Sequence, residues 1–517
     1  MSVKISGPAI AKIDRSSPTY SDLSTAAVAL AKKDSSLWGP DAASEASIRL
    51  NWIDLPLASR ELLPELDALS AWARSTGLTN VILCGMGGSS LAPEVISKTY
   101  GKKLSVLDST DPAQILAAIP TDLSTSVVVV GSKSGSTIET ASQRALFTEL
   151  FTKAGLDPKA HMVIVTDPGS PLDIDARTNN FRTINADPSV GGRYSALSAF
   201  GLVPAALMGV DVSVLLDDAA AACEKFAHPD SPAIELAYLL FTQSEQTISF
   251  FDAGSKVPGI SDWIEQLVAE STGKNQRGRL PVVIESASAP ISGPSLTIGF
   301  APNDAADLVV IASLGEHFIL WEWVTALLCR ALEVDPFNQP NVTEAKEGTG
   351  QLLAQWADGK VHQPIPVFED ENLQVYAEEP AASLAEAFTA FLQKPGYYIA
   401  IMAYLARGID DEIVNSRVLL AEKSGRGATF GWGPRFLHST GQFHKGGQQN
   451  GSFLQITGEN ATDISIPEQI FSFHTLLMAQ ALGDAHALRS REFPLLRIHL
   501  KNRSEGIAAI LKTLANL

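Results

Sequence analysis

Two turns rich in glycine and serine have the composition of phosphate-binding loops. The first, residues 84–90, reads Cys-Gly-Met-Gly-Gly-Ser-Ser and follows the apolar run 81–83. The second, residues 131–137, reads Gly-Ser-Lys-Ser-Gly-Ser-Thr and follows the apolar run 126–130. Glycine permits close backbone approach, while hydroxyls, a lysine and helix N-terminal amides all bind phosphate oxygens. A tight turn and a serine N-cap are the ordinary structural alternatives, but two such turns so near each other favour phosphate binding.

Neither turn matches a nucleotide-binding motif. Residues 85–90 depart from Gly-x-Gly-x-x-Gly because position 90 is serine, and the second turn lacks the Gly-Lys-Ser/Thr ending of a P-loop. A dinucleotide-dependent oxidoreductase is therefore disfavoured. Cys84, Cys223 and Cys329 have no Cys-x-x-Cys spacing, and the sequence contains no His-Glu-x-x-His. The sequence thus predicts no metal, no cofactor and no disulfide framework, and it favours a reducing compartment.

The elements that position these turns follow an alternating pattern. Short apolar runs rich in valine and isoleucine are separated by segments of helical period, which is typical of parallel sheets covered by helices on both faces. The predicted strands are 81–83, 104–107, 126–130, 162–165, 181–184, 248–251, 282–284, 296–298, 308–311, 398–403, 453–456 and 496–500. Helical patterns at 195–208, 212–226 and 233–246 separate the first five from the rest. The pattern predicts an α/β fold with two doubly wound lobes, 51–225 and 226–517, each an α/β/α sandwich, after a helical N-terminal arm, 1–50.

The composition and charge limit the classes of partner. The chain has 517 residues, 45% of them hydrophobic and 19% charged, which is typical of a globular protein. Its 39 Lys and Arg against 57 Asp and Glu give a net charge of −18, which argues against binding to nucleic acid or to an anionic membrane. A small phosphate anion is not excluded, because local backbone amides can bind it. With no signal-peptide pattern and no long apolar run, we expect a cytoplasmic protein.

Longer motifs resemble those of the phosphoglucose isomerase family, and the similarity extends from about residue 50 to the end of the chain. Residues 85–89 resemble the family's Gly-Ile-Gly-Gly-Ser turn, and residues 132–140 resemble its Ser-Lys-Thr-Phe-Thr-Thr-Gln-Glu-Thr loop, with Gly135 replacing the aromatic residue. Residues 190–195 reproduce Val-Gly-Gly-Arg-Tyr-Ser, and residues 266–274 resemble Gln-x-x-x-Glu-Ser-x-Gly-Lys. Within the family, the sequence looks most like the isomerase half of the bifunctional transaldolase/phosphoglucose isomerases. The resemblance implies sugar-isomerase (SIS) lobes.

This resemblance also implies catalytic roles for four residues. Arg193 would stabilise the enediolate that forms on proton abstraction beside a carbonyl, and Glu270 would carry the proton between C2 and C1. His438, in a segment resembling Leu-His-Ser-Leu-Gly-Gln, would open the sugar ring with Lys346, which is aligned through residues 337–346. The order of these three residues, Glu270, Lys346, His438, differs from the usual Glu, His, Lys.

The remaining residues that the resemblance assigns would bind the substrate or line its pocket. They are Gly88, Ser89, Ser132, Lys133, Ser134, Thr137 and Gln266. Gln266 and Glu270 have the i, i+4 spacing that places both on one helix face, and Gly273 can end that helix.

The expected function is a metal-free glucose-6-phosphate isomerase that interconverts glucose 6-phosphate and fructose 6-phosphate in glycolysis and gluconeogenesis. A dual-specificity phosphoglucose/phosphomannose isomerase and a non-catalytic sugar-phosphate sensor of the same fold are the open alternatives. The resemblance also implies a homodimer.

Overall fold

The computed structural model describes residues 3–291, 295–302, 305–356 and 360–517. The chain divides into two compact units. Unit 1 comprises Met1–Asp108, Ala118–Ala287 and Leu296–Asn338, and unit 2 comprises Ser109–Ala117, Ser288–Ser295 and Gln339–Leu517.

The strands and helices follow one another in the alternation that the sequence predicts, and the α/β fold class is confirmed. The strands are β1 (Lys4–Ser6), β2 (Asn80–Gly85), β3 (Ser105–Leu107), β4 (Ser126–Gly131), β5 (Met162–Thr166), β6 (Arg182–Asn185), β7 (Thr247–Phe251), β8 (Leu280–Val283), β9 (Leu296–Gly299), β10 (Leu308–Ile311), β11 (Phe368–Glu369), β12 (Leu373–Tyr376), β13 (Tyr398–Tyr404), β14 (Gly427–Trp432), β15 (Gly451–Gly458) and β16 (Leu495–Leu500). The helices are α1 (Pro18–Ala31), α2 (Pro40–Arg49), α3 (Leu55–Ala58), α4 (Leu63–Ser75), α5 (Leu91–Thr99), α6 (Pro112–Ala118), α7 (Ile138–Lys153), α8 (Pro171–Thr178), α9 (Ala199–Leu207), α10 (Val212–Phe226), α11 (Pro232–Thr242), α12 (Ile260–Thr272), α13 (Leu314–Leu332), α14 (Val342–Gln355), α15 (Leu384–Gln393), α16 (Ser416–Ser424), α17 (Gly441–Gly446), α18 (Phe473–Arg489) and α19 (Arg503–Asn516).

The first sheet of unit 1 is parallel, with the strand order β3-β2-β4-β5-β6. All residues of β4 and β5 are buried, as expected for continuous valine and isoleucine runs covered on both faces. The winding reverses between β2 and β4, and ligands of doubly wound sheets bind at such a reversal, at the carboxyl ends of the strands. Both predicted phosphate turns therefore begin at this point.

The second sheet of unit 1 has the order β8-β7-β9-β10-β1, in which β1 is antiparallel to β10. The N-terminal segment is thus more than the predicted helical arm. It contributes an edge strand, and α1 packs against α11 and α13 within unit 1. Trp38 donates a hydrogen bond from Nε1 to the carbonyl oxygen of Ala326, at 3.0 Å. A strand of three residues is specified by backbone pairing rather than by a side-chain pattern, which is why the sequence did not indicate it.

Unit 2 contains a sheet of order β11-β12-β16-β15-β13-β14, in which β13 to β16 are parallel to one another and β12 pairs antiparallel with both β16 and β11. Its core includes Ile399, Ile401, Leu454 and Ile456. The seven strands predicted for one second lobe are therefore divided between a sheet of unit 1 and this sheet. The predicted boundary near residue 225 falls inside unit 1, because α10 and α11 both pack against α13. Among the described residues, no helix is long and apolar enough to cross a membrane.

Candidate active site

The two predicted phosphate turns lie against each other in unit 1. β2 and β4 are neighbours, with Gly85 opposite Gly131 in the register. A Cβ atom at Gly131 would lie 3.3 Å from the Cβ of Ser89, and one at Gly85 would lie 3.3 Å from the carbonyl oxygen of Gly131. Ser89 therefore sits over the end of β4, and the glycines leave room for it.

The second turn is organised by its own hydroxyl groups. Ser132 donates from Oγ to Oγ1 of Thr137 at 3.3 Å and accepts the backbone N–H of Gly135 at 3.2 Å. The hydroxyls of Ser134 and Ser136 are 2.7 Å apart. Gly135 has a φ of +73°, and a Cβ there would lie 2.6 Å from the Cβ of Leu172. This turn has no room for the aromatic residue that the resemblance would place at position 135. It therefore differs in shape from the loop that the resemblance implies.

Lys133 does not extend freely from the turn. Its Nζ pairs with Oδ2 of Asp167, the residue after β5, and donates to the carbonyl oxygen of Pro188 at 3.0 Å. Burial raises the pKa of Asp167, although the Lys133 ammonium opposes this. A phosphate that reached Lys133 would compete with these two partners.

The first turn also contacts the segment that carries Arg193. A Cβ atom at Gly88 would lie 1.9 Å from the carbonyl oxygen of Gly192, closer than any side chain allows. The two backbones are therefore in direct contact, and glycine at position 88 has a packing reason independent of any ligand. This contact places the first turn beside Arg193.

Arg193 and Glu270 form a buried ion pair. The Nη1 of Arg193 lies 3.2 Å from Oε1 of Glu270, with 2% and 6% of the two side chains exposed. Arg193 also donates from Nε to Oγ of Ser271 at 2.8 Å, and from Nη2 to the carbonyl oxygens of Pro336 and Asn338. A planar guanidinium with five donors can hold all these partners at once.

Gln266 and Glu270 lie on the same face of α12, as their spacing predicts. Gln266 donates from Nε2 to Oε2 of Glu270 at 3.1 Å. Each carboxylate oxygen of Glu270 thus has one donor, and the side chain is fixed in the protein interior. The structure brings together Gly88, Ser89, Arg193, Gln266 and Glu270 within unit 1.

The two other predicted catalytic residues belong to unit 2. Lys346 is exposed on α14, and His438 is half-buried in the 3-10 turn that precedes α17. Their segments are joined by two hydrogen bonds: the N–H of Asn341 donates to Oε1 of Gln442 at 3.0 Å, and Nε2 of Gln442 donates to Oδ1 of Asn341 at 2.9 Å. The segments of Lys346 and His438 therefore meet within this unit.

His444 lies near His438 in the sequence, and its burial and contacts fit a structural role. It is 2% exposed, and its Nδ1 lies 3.0 Å from the hydroxyl of Tyr398. Burial, together with the Lys445 charge, lowers the pKa of His444 to about 3, so the ring is neutral.

Two polar residues of the site were not predicted from the sequence. Ser271 is the hydroxyl that accepts from Arg193, and Lys274 lies buried beside the same group of residues. Both belong to the motif at 266–274. The polar residues at the end of that motif could have indicated them as site residues.

The chain is similar in sequence to known proteins. Residues 60–291 match the sequence model of the family described as phosphoglucose isomerase. After this match, residues 60–291 are here called the phosphoglucose isomerase domain. This domain contains both turns, Arg193 and Glu270, whereas Lys346 and His438 lie beyond the matched residues.

The chain also has relatives among curated protein sequences. The chain is 33% identical to the probable glucose-6-phosphate isomerase of Haloquadratum walsbyi over 216 residues, which are 40% of this chain and 50% of that protein. It is 33% identical to the glucose-6-phosphate isomerase of Thermus thermophilus over 242 residues, 45% of this chain and 58% of the relative. The chain thus spans about half the length of these relatives.

Among solved structures, the glucose-6-phosphate isomerase of Chlamydia trachomatis superposes with a TM-score of 0.51 at 21% identity, over 58% of this chain and 74% of that one. This likeness concerns the fold. The predicted family is confirmed for the phosphoglucose isomerase domain, and the relation to bifunctional proteins stays a prediction.

Proposed function

We propose that this protein is a glucose-6-phosphate isomerase that interconverts glucose 6-phosphate and fructose 6-phosphate through a cis-enediolate. The observation that carries the proposal is the buried Arg193–Glu270 pair, which lies beside two hydroxyl-rich turns in a phosphoglucose isomerase domain. A carboxylate and a guanidinium are the base and the oxyanion-stabilising group that such a reaction requires.

The phosphate group is proposed to bind at the turns after β2 and β4. Ser89, Ser132, Ser134 and Thr137 supply hydroxyl donors there, and backbone amides of 85–90 and of the start of α7 add to them. The helix dipole of α7 favours an anion at this end. Lys133 contributes positive charge once the phosphate displaces one of its present partners.

Proton transfer is assigned to Glu270. Its carboxylate takes the proton from C2 of the open-chain aldose, the C2–H electron pair forms the C1–C2 double bond, and the carbonyl oxygen at C1 becomes the enediolate oxygen. A proton then moves from the C2 hydroxyl to the C1 oxygen, and Glu270 returns the carbon-bound proton to C1 while the C2 oxygen becomes the carbonyl oxygen of the ketose. The Arg193 guanidinium stabilises the oxyanion, and a positioned base of this kind contributes ~10²- to 10⁴-fold in rate.

Ring opening is assigned to His438 with Lys346. Histidine is suited to move a proton between the ring oxygen and the C1 hydroxyl near neutral pH. The hydrogen bonds between Asn341 and Gln442 support a joint role, because they tie the two segments together within unit 2.

The deciding experiment is a coupled assay that follows fructose 6-phosphate to glucose 6-phosphate, with and without a chelator, for the unaltered protein and for Glu270→Gln. We expect turnover that the chelator does not change, and loss of nearly all turnover in Glu270→Gln with fructose 6-phosphate binding retained in calorimetry. Binding without turnover in the unaltered protein would favour the sensor. Equal activity of the variant would overturn the assignment of Glu270.

The substrate specificity and the oligomeric state of the protein stay predictions. Adding mannose 6-phosphate to the same assay distinguishes a glucose-specific enzyme from one that also accepts the C2 epimer. Light scattering of the purified protein tests the homodimer that the resemblance implies.

A further inference from the structure

Lys274 is a buried basic residue to which the proposed mechanism gives no role. It follows α12, with 2% of the residue exposed, and its Nζ donates a hydrogen bond to the carbonyl oxygen of Asp335. Burial lowers the pKa of Lys274 to about 7, and the Arg193 charge is the next largest cause. Burying an ammonium group costs free energy, so this position calls for a compensating role.

The acceptor of Lys274 belongs to the same loop that holds Arg193. Residues 335–338, which come shortly after the end of α13, are here called the carbonyl loop. Lys274 donates to the Asp335 carbonyl, and Arg193 donates to the carbonyls of Pro336 and Asn338. Two buried basic side chains therefore share one short stretch of backbone as their acceptor.

The turn that directs Lys274 inward has an unusual backbone. The two residues after it, Asn275 and Gln276, have φ values of 53° and 58°, in the left-handed region that costs L-amino acids free energy. Both are exposed, whereas Lys274 is buried. The next residue, Arg277, donates to the carbonyl oxygen of Leu332 at 2.8 Å. The turn thus holds the end of α13 at one point and the carbonyl loop at another.

The charged and titratable groups around Lys274 come from four segments. Arg193 follows β6, Glu270 lies on α12, Cys329 lies on α13 and Asp335 belongs to the carbonyl loop. Burial raises the pKa of the Cys329 thiol to about 12, which leaves it neutral. The carboxylate of Asp335 accepts the N–H of Phe337 at 2.7 Å and so shapes the loop itself.

We propose that Lys274 is a positioning residue, which fixes the carbonyl loop and thereby holds the Arg193 guanidinium beside Glu270. Lys274 donates to a backbone carbonyl and not to a reacting group, so its effect passes through Arg193. The proposal rests on the isomerase activity proposed above, because it assigns to Lys274 the orientation of that reaction's oxyanion-stabilising group.

The kinetic test compares Lys274→Met and Lys274→Arg with Arg277→Met, an exposed residue that holds the end of α13 from the same turn. Because small misplacements of a catalytic group are costly, we expect Lys274→Met to lower kcat about 10- to 100-fold. We expect its KM for fructose 6-phosphate to change less than about threefold, since phosphate binding is untouched. Lys274→Arg should recover part of kcat, and Arg277→Met should keep it within about twofold.

The pH profile separates this role from general stability. The unaltered protein should show an ionisation near pH 7 in kcat that is absent in Lys274→Met, because the charge next to Arg193 and Glu270 no longer titrates. Unchanged kcat and an unchanged profile in a folded Lys274→Met protein would overturn the proposal.

A second measurement does not depend on activity. Crystal structures of the unaltered protein and of Lys274→Met should differ at Arg193, whose Nη2 is expected to leave the carbonyls of Pro336 and Asn338. Arg193 in the same place in both would refute the positioning role. If the unaltered protein lacks isomerase activity but Arg193 moves in the variant, the proposed function fails while the positioning role stands.

Discussion

The carbonyl oxygen of Gly192 occupies the place where a side chain on Gly88 would begin, 1.9 Å from an ideal Cβ. The first predicted phosphate turn and the segment carrying Arg193 are therefore in contact through their backbones. Any side chain at position 88 would separate the two, and with them the proposed phosphate anchor and the proposed oxyanion-stabilising group.

Gly88→Ala should accordingly lower activity more than stability alone explains. The added methyl meets backbone, which cannot rotate away, so we expect kcat/KM for fructose 6-phosphate to fall at least about 10-fold. Coupled-assay kinetics measure the effect on activity, and a thermal unfolding curve measures the effect on stability. Gly350→Ala is the matched control, because Gly350 lies within α14 with no heavy atom within 4 Å of its Cβ position.

The control should be stabilised by about 0.5–1 kcal/mol, the usual gain of alanine over glycine inside a helix. If Gly88→Ala had the activity of the unaltered protein, the contact between the first turn and the Arg193 segment would have no effect on activity.

The hydrogen bonds between Asn341 and Gln442 predict energetic coupling between the segments of Lys346 and His438. Gln442 is buried; Gln442→Ala removes both hydrogen bonds, whereas Asn341→Ala removes the one to the Asn341 side chain and keeps the one from its backbone N–H. In a double-mutant cycle of Asn341→Ala and Gln442→Ala, urea unfolding should give a coupling free energy of about 0.5–3 kcal/mol. The same cycle in kcat should also be non-additive. Strictly additive effects in both measurements would contradict a joint role for the two segments.

Glu322 predicts a pH-dependent loss of stability. It is fully buried on α13, and neither of its carboxylate oxygens has a hydrogen-bond partner among the described residues. Burial raises the pKa of Glu322 well above its usual range, so the folded state keeps a proton that the unfolded state releases above about pH 4.3. The contribution of this group to stability therefore falls as pH rises from that value towards the folded pKa.

Glu322→Gln removes this titration. We expect the variant to gain stability over the unaltered protein by about 1.4 kcal/mol for each pH unit between about 4.3 and the folded pKa, and to show no such pH-dependent gain below about pH 4. Urea unfolding from pH 4 to pH 8 measures the difference. Glu347→Gln, at an exposed position of α14, should give a nearly constant offset. Parallel stability curves for Glu322→Gln and the unaltered protein would rule out a protonated Glu322.

Much of the fold and part of the site could be predicted from local patterns. Valine and isoleucine runs predicted β2 and β4, and the turn residues after them predicted the hydroxyl-rich loops. The spacing of Gln266 and Glu270 predicted their shared helix face, where they are hydrogen bonded. The edge strand β1 and the strands β11, β12 and β14 were missed, because they are short or carry glycine and polar residues that weaken the apolar signal.

The sequence by itself determined most of the strands, which turns combine the glycines and hydroxyls suited to an anion, and which residues share a helix face, because these properties depend on neighbours a few positions apart. Only the tertiary structure decided that Arg193 pairs with Glu270, that Lys133 pairs with Asp167 and that Lys274 shares a loop with Arg193. These contacts join segments that are far apart in the chain. They depend on strand order and on backbone approach, which no local periodicity encodes.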